Sequence, residues 1–378
     1  MAILRSNMLS KALVGCFSLI YGLSQLLPNY SWLRWKNTTS APFPIIPFQD
    51  SPFYLGQLNR FVQGRNNFGS SVLLEHANDG YVVGSSYVFW FWGLIGRFAS
   101  WNVIQTYLVL TFITGIFTFL ALNYLAKSIF AGNVVSLLTT LVISLGVIKF
   151  SLGRPSPTQL CIWLTFLALG ALIRLSKNES IGKFILLWCV FMALIFSNPF
   201  YALLIAVCAF TLNIVGWKHS SKIFRISTFL ILLVCLLYSK LGIDKSSNNI
   251  ELQDRFGFIW DRLPGAVSIS LPAVMIGLFS FYMFYKSKIA QFRTIFALMA
   301  AILGTVNSQI VTGIVFEMES HLSSVAKTLF ALSTLYLVKH IMRHNFNAKI
   351  TLYFLAIFAS VSPFMQSAIS YFETPNQV

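Results

Sequence analysis

Asp50 is the residue of this chain best suited to acid–base chemistry. It precedes Ser51-Pro52, a pair that is typical of the first residues of a helix. If that helix lies at a membrane surface, the carboxylate meets a lowered dielectric, where it can deprotonate or orient an acceptor hydroxyl. The structural alternative is an acid that stabilises the dipole of the helix N-terminus. We predict a catalytic role for Asp50, and substrate contacts for Tyr54 and Arg60 in the helix that follows.

Cations form the second group of candidate functional side chains. Arg154 lies in the short run Gly153-Arg154-Pro155 between two apolar stretches, and Lys149 comes shortly before it. Lys327 falls inside a later apolar stretch, where a charge is costly unless it faces a cavity or a partner. Cations near a membrane interface suit the phosphate of a lipid, and snorkelling towards headgroups is the structural alternative. We predict that Arg154, Lys149 and Lys327 bind a donor phosphate.

A third polar cluster, at 307–321, separates two apolar stretches near the end of the chain. It includes Glu317, Glu319 and His321. Glu319 and His321 could form an acid–base pair, and a capping and loop role accounts for them equally well. We predict that these three side chains contact substrate.

Sequence signatures of cofactor chemistry are missing. The chain has no Asp-x-Asp pair on a predicted outer loop, no cluster of His and Cys ligands, no phosphate loop of the Walker type, no Gly-rich dinucleotide loop and no Gly-x-Ser-x-Gly. Its five cysteines all lie in apolar runs, where they behave as small hydrophobic side chains. We therefore predict neither a metal site nor a cofactor.

The composition is that of a membrane protein, and the elements that position these side chains must be membrane helices. Of the 378 residues 56% are hydrophobic and only 10% are charged, whereas soluble domains carry about 25% charge. Apolar runs of about 18–20 residues, the length that spans a bilayer, recur along the chain. The net charge of +16 does not indicate nucleic-acid binding, because the cations flank the ends of apolar runs. The sequence predicts an all-α polytopic membrane protein.

The distribution of charge predicts the topology. Ten of the eleven acidic residues fall in segments on one side, Glu179 being the exception, and most of the Lys and Arg fall in the segments between them. Because cytoplasmic loops carry an excess of Lys and Arg, we place the N-terminus in the cytoplasm and the C-terminus outside. The predicted spans are 12–27, 101–126, 132–150, 158–175, 183–197, 200–216, 226–243, 265–285, 293–309, 322–338 and 350–370.

About eleven transmembrane helices therefore form one predicted transmembrane domain over 1–378. The first outer loop, 28–100, is rich in aromatic residues and predicts interfacial helices. Within it, the apolar segment 85–98 is too short for a full span and is interpreted as re-entrant. Further outer loops are predicted at 240–264 and 307–321. Alternating charge in 240–264 is typical of a solvated surface.

The first part of the chain resembles the GT-C membrane glycosyltransferases. The resemblance rests on the run from Asp50 to Tyr54 with Gly64 ten residues on, the short segment 87–97, two long apolar stretches and then Gly153-Arg154-Pro155. It covers roughly residues 10–175 as a pattern of spacing and hydropathy. It implies inverting transfer of a sugar from a polyprenyl phosphate to a glycan, lipid or protein acceptor, on the non-cytoplasmic face. In that family the acid of the first loop acts on the acceptor, and Asp50 is the matching residue.

One departure from the family pattern bears on the mechanism. Many members carry a second acid where this chain has residues 154–159, so the resemblance implies metal-independent transfer here. The same departure leaves open a GT-C-like protein without catalytic activity. A polymerase or flippase of lipid-linked glycans, or a small-molecule transporter, are further alternatives, although no repeat symmetry is visible. The short loops favour the plasma membrane of a bacterium.

Overall fold

The computed structural model describes residues 2–27, 51–65, 87–130, 132–149, 152, 156–216, 220–246, 267–312 and 318–341. Every regular element in these ranges is a helix. The helices are α1 (Ala2–Ser24), α2 (Ser51–Val62), α3 (Tyr87–Phe98), α4 (Val103–Ile129), α5 (Asn133–Ile143, continued by a π-helical turn over Ser144–Ile148), α6 (Pro157–Lys177), α7 (Ile181–Ser197), α8 (Pro199–Val215), α9 (Lys222–Ser246), α10 (Val267–Ser287), α11 (Ala290–Val306), α12 (Gln309–Thr312) and α13 (Met318–Ile341).

Hydropathy predicted the positions of these helices closely. The predicted spans at 101–126, 158–175 and 200–216 correspond to α4, α6 and α8, and the short segment at 85–98 corresponds to α3. Helix α9 continues to Ser246, so the first residues of the predicted loop 240–264 are helical. The predicted span at 350–370 lies outside the described residues.

Helix length and hydropathy identify four helices that could cross a membrane. These are Val103–Ile129, Pro157–Lys177, Val267–Ser287 and the part of α13 from His321 to His340. Shorter apolar helices of 10–17 residues include Ile181–Ser197, Pro199–Val215 and Ala290–Val306. The chain is therefore all-helical in its described part, with at least these candidate membrane spans.

The contacts divide the chain into two compact units, and the single transmembrane domain predicted from sequence stays a prediction. Unit 1 comprises 1–123, 133–163 and 350–378, and unit 2 comprises 124–132 and 164–349. Helices α4 and α6 each contribute residues to both units. Each unit is described by itself below.

Two glycines allow α1 and α4 to approach closely in unit 1. A Cβ atom added to Gly22 would lie 2.7 Å from the Ile116 side chain and 2.9 Å from the Phe112 carbonyl oxygen. A Cβ atom on Gly115 would lie 2.8 Å from the Cα atom of Gly22. Small residues at a helix crossing let the two backbones meet, as is usual in membrane proteins. This contact fixes α1 against the first half of α4.

Helix α11 is the central helix of unit 2. It packs against α10 and α8, and its buried side chains extend around the helix. The contact with α8 is close, since a Cβ atom added to Gly304 would lie only 3.1 Å from the Val207 side chain. Phe281 of α10 meets Phe296 of α11 with 5.1 Å between ring centroids. A helix that is covered on most sides must bury even its polar residues.

The start of α8 follows from its sequence. Asn198 precedes the helix, and its side-chain oxygen accepts a hydrogen bond from the Tyr201 backbone N–H at 3.3 Å. Pro199 takes the first helical position, where its missing N–H is not needed. The predicted break at residues 197–199 is thus a capped boundary between α7 and α8.

Candidate functional site

Helix α2 is the element that follows the predicted catalytic acid. It begins at Ser51, the residue after Asp50, as the Ser-Pro pair predicted. Asp50 itself lies outside the described residues. The apolar side of α2 is fully buried in unit 1 and packs in one cluster with residues from α3, α4 and α6. That cluster contains Leu55, Leu58, Phe61, Phe89, Tyr107, Leu110 and Leu160.

The contact between α2 and α3 fixes the helix that carries Tyr54. The half-buried Tyr54 ring packs against Phe89, with 5.8 Å between the ring centroids. One turn further on in α3, Gly93 lies directly on Phe61, and a Cβ atom at Gly93 would collide with that of Phe61. The substrate contact predicted for Tyr54 stays a prediction, and the observed role of its ring is to join the two helices.

Replacing Gly93 with alanine should separate α2 from α3. The added methyl group overlaps the Phe61 side chain, and overpacking of this kind costs about 1–3 kcal/mol. The control is Gly15→Ala in α1, where nothing lies within 4 Å of the added atom and alanine favours the helix. We expect G93A to lower the midpoint of thermal unfolding and G15A to raise it slightly. Equal midpoints for the two variants would contradict the close contact.

Two polar residues of α2 are also buried. Gln57 is fully buried, and one turn later Arg60 is 8% exposed. Burial, and to a lesser extent the positive charge of Arg65, lowers the pKa of Arg60. A guanidinium nevertheless stays charged at any physiological pH. The helix that follows Asp50 therefore carries a buried positive charge, and the substrate contact predicted for Arg60 stays a prediction.

Lys149 occupies a strained turn at the end of the π-helical segment. Its backbone angles are φ 51° and ψ −131°, in a region that residues with a side chain rarely adopt. The turn is fixed from three sides, since its N–H donates to the Ser144 carbonyl at 2.9 Å. Its carbonyl oxygen accepts from the Tyr21 hydroxyl at 3.1 Å and from the Gln25 amide nitrogen at 2.8 Å. A conformation of this kind persists only where its surroundings impose it.

This turn was not predicted, although the sequence contains a signal for it. Tyr21 and Gln25 are polar-tipped residues one turn apart in the first apolar run. Both are buried in the structure, so each needs a hydrogen-bond partner, and both find the Lys149 carbonyl. Arg154 lies outside the described residues, between this turn and the start of α6 at Pro157.

Replacing Lys149 with glycine tests whether the lysine charge binds phosphate, because glycine keeps the backbone turn and removes the charge. Glycine adopts positive φ without strain, so K149G should gain stability, by about 1 kcal/mol. Lys288, with φ 57°, is the matched control, because K288G relieves another positive φ and removes the same charge in unit 2. We expect both variants to unfold at a higher temperature and only K149G to bind polyprenyl phosphate more weakly. Unchanged affinity of K149G for polyprenyl phosphate would show that Lys149 forms the turn but does not bind the phosphate.

The candidate residues of unit 2 that the structure describes, His321 and Lys327, lie at different positions along α13. The His321 ring, near the start of that helix, stacks on Phe200 at 4.5 Å between centroids. At the end of α11, the Asn307 amide donates to the Ser270 hydroxyl at 3.0 Å and to the Leu303 carbonyl at 3.1 Å. The side chains of Glu317 and Glu319 lie outside the described residues, so the predicted acid–base pair stays a prediction.

Lys327 lies on the surface of unit 2. Its side chain is exposed, ten residues into α13, and therefore about 13 Å along the helix axis from its start. Lys149 belongs to unit 1 and Lys327 to unit 2. A lysine exposed on a candidate membrane helix can reach the headgroups by extending along the helix. Its role in binding phosphate stays a prediction.

Comparisons with known proteins give no family for this chain. No protein-family model matches it, and neither does any curated protein. Within the described ranges, no three His, Cys, Asp or Glu side chains lie together as a metal site would require.

Proposed function

We propose that this chain is an integral membrane glycosyltransferase of the GT-C type. It would transfer a sugar from a polyprenyl phosphate to an acceptor on the non-cytoplasmic face. The observation that carries the proposal is the short helix α2, which begins at the residue after Asp50 and is held by its packing on α3. The run from Asp50 to Tyr54, with which the resemblance to that family begins, leads directly into this helix.

The described part of unit 1 offers the charges that this reaction requires. Arg60 places a buried positive charge on α2. Lys149 stands at a fixed turn, five residues before Arg154 in the chain. Positive charge that is already in position stabilises a leaving phosphate without reorganisation during the reaction. We assign the balance of the donor's negative charge to these side chains.

In the proposed mechanism Asp50 accepts the proton of the acceptor hydroxyl. The hydroxyl oxygen forms a bond to the anomeric carbon while the bond from that carbon to the phosphate oxygen breaks. Attack from the face opposite the leaving group inverts the anomeric configuration. Arg154 and Lys149 hold the polyprenyl phosphate that leaves. This mechanism uses no metal ion.

The proposal includes the membrane arrangement that the charge pattern predicted. About eleven spans would cross the membrane, with the N-terminus in the cytoplasm and α2 and α3 at the outer surface. The shorter apolar helices, such as Pro199–Val215, would then be spans as well as the four longer ones. A bacterial plasma membrane suits this arrangement. Accessibility of single cysteines on each side of sealed vesicles tests the orientation.

Transfer from a defined donor tests the proposed activity. The purified full chain in lipid nanodiscs is incubated with a set of polyprenyl phosphate sugars, and released polyprenyl phosphate is measured with and without cell-envelope acceptors. We expect one donor to release phosphate in an acceptor-dependent manner. Binding of the donors without release would indicate the inactive relative, and movement of intact donor across the bilayer would indicate a flippase.

A further inference from the structure

Arg293 is a buried cation that the proposed transferase does not use. It lies in the first turn of α11, the central helix of unit 2, and is 8% exposed. Its Nε atom is buried without a hydrogen-bond partner among the described residues. Removing a guanidinium from water is costly unless acceptors or an anion replace the water. A buried Nε–H at a helix end, with no acceptor among the described residues, therefore points to an acceptor that a ligand supplies.

The guanidinium lies against the end of another helix. A Cβ atom on Gly216, the residue that follows α8, would lie 2.5 Å from Nη1 and 3.0 Å from Cζ of Arg293. In the structure the guanidinium occupies the space that a side chain at residue 216 would need. The close approach positions the charged group at the C-terminal end of α8 and at the N-terminal end of α11.

Two further cations converge on the same end of unit 2. The Arg174 guanidinium covers the Tyr124 ring at 3.9 Å and donates to the Tyr124 carbonyl at 3.3 Å. The Lys177 ammonium donates to the Ser128 carbonyl at 2.6 Å. Arg293 and Arg174 both lie close enough to Lys177 to repel its positive charge. We call Arg174, Lys177 and Arg293 the cation cluster.

Among the residues that the structure describes, the surroundings of the cluster supply little negative charge. Glu179 is the one acidic residue of unit 2 whose side chain the structure describes, and it is exposed. Helix C-termini offer a partial compensation, because each carries about half a negative charge. The ends of α4 and α8 thus contribute less than the three positive charges that meet there. The cluster is left with an excess of positive charge around a buried guanidinium.

We propose that the cation cluster binds the phosphate group of an anionic ligand. A guanidinium with unused donors and a nearby ammonium match phosphate oxygens in geometry and charge. The N-terminal end of α11 adds a partial positive charge and free backbone N–H groups. The ligand is either the headgroup of an anionic phospholipid or a soluble phosphate, since both present the same group.

This site is separate from the candidate residues at the other end of unit 2. His321 is near the start of α13, whereas His340 near its end packs edge-on against Phe292, the neighbour of Arg293, at 4.8 Å between ring centroids. The two residues are nineteen positions apart in sequence, which corresponds to about 28 Å of helix. The charge pattern predicts that the cluster faces the cytoplasm. The proposal therefore stands whether or not the chain is a transferase.

Thermal unfolding of the delipidated full chain tests this proposal. One arm titrates pyrophosphate at constant ionic strength, and the other adds phosphatidylglycerol, with phosphatidylcholine as the neutral lipid. The test variant is Arg293→Gln, and the matched control is Arg225→Gln, an exposed arginine near the start of α9. We expect wild type and R225Q to gain several degrees from at least one probe. R293Q should bind that probe about tenfold more weakly.

The possible results distinguish a soluble phosphate from a lipid headgroup, and they include results that would reject the site. Stabilisation by pyrophosphate identifies a soluble phosphate site, and stabilisation by phosphatidylglycerol alone identifies a lipid site. Without either probe, R293Q should be at least as stable as wild type, because a buried charge has been removed. If R293Q does not fold, Lys177→Gln should still weaken binding severalfold. Probe binding that R293Q or K177Q leaves unchanged, or no stabilisation by either probe, would overturn the proposal.

Discussion

Replacing Asp50 with asparagine should lower the rate of sugar transfer by about 10²–10⁴-fold, which is the range for loss of a general base. Asparagine has nearly the shape of aspartate but cannot accept the proton of the acceptor hydroxyl. Donor affinity should change little, because the donor phosphate is assigned to cations elsewhere. The measurement is release of polyprenyl phosphate at saturating donor, together with donor binding by native mass spectrometry.

Asp79 provides the control for this substitution. It is another acid of the predicted first outer loop, and Asp79→Asn removes the same charge. We expect D79N to transfer sugar at the wild-type rate. Full transfer activity in D50N would show that Asp50 is not the base. Equal losses of activity in D50N and D79N would indicate an effect of the net charge of the loop instead.

Replacing Arg154 with glutamine should lower the affinity for the donor, and this is the second largest effect that we expect. Loss of a charge-assisted pair with phosphate costs about 1.5–3 kcal/mol, which corresponds to a donor affinity lower by about tenfold or more. The lysine variant should retain part of that affinity, since it keeps the charge but not the planar fork. Binding of polyprenyl phosphate without a sugar isolates this interaction from the chemical step.

Arg65→Gln is the matched control for Arg154. Arg65 is exposed directly after α2, so its loss changes the net charge of unit 1 equally. We expect R65Q to bind the donor like wild type at physiological ionic strength, where exposed charges are screened. Intact donor affinity in R154Q would show that Arg154 holds no phosphate, and the leaving group would then need another partner.

Apolar periodicity predicted the helices because membrane helices satisfy their own backbone. Each run must form its hydrogen bonds internally, so an apolar stretch and a helix coincide closely. The predicted span at 158–175 and the helix at Pro157–Lys177 differ by only one or two residues at each end. The Ser-Pro start of α2 was also predicted, because the start of a helix depends on local residues.

The features that sequence could not predict depend on contacts distant in the chain. The Lys149 turn is fixed by Tyr21 and Gln25, which are more than 120 residues away. Only the packing of α11 shows that Arg293 is buried. Lys327 gave no sign in sequence that it would be exposed, because hydropathy does not say which side of a helix is covered.

A structure by electron microscopy in lipid nanodiscs with added polyprenyl phosphate tests the central claim most directly. The claim is that Asp50 and the cations at Lys149 and Arg154 serve one donor site. We predict density for the phosphate beside Arg154, with the Asp50 carboxylate facing the same outer cavity. A phosphate bound elsewhere, or an Asp50 carboxylate that points to bulk water with no cavity joining it to these cations, would contradict the proposed transferase.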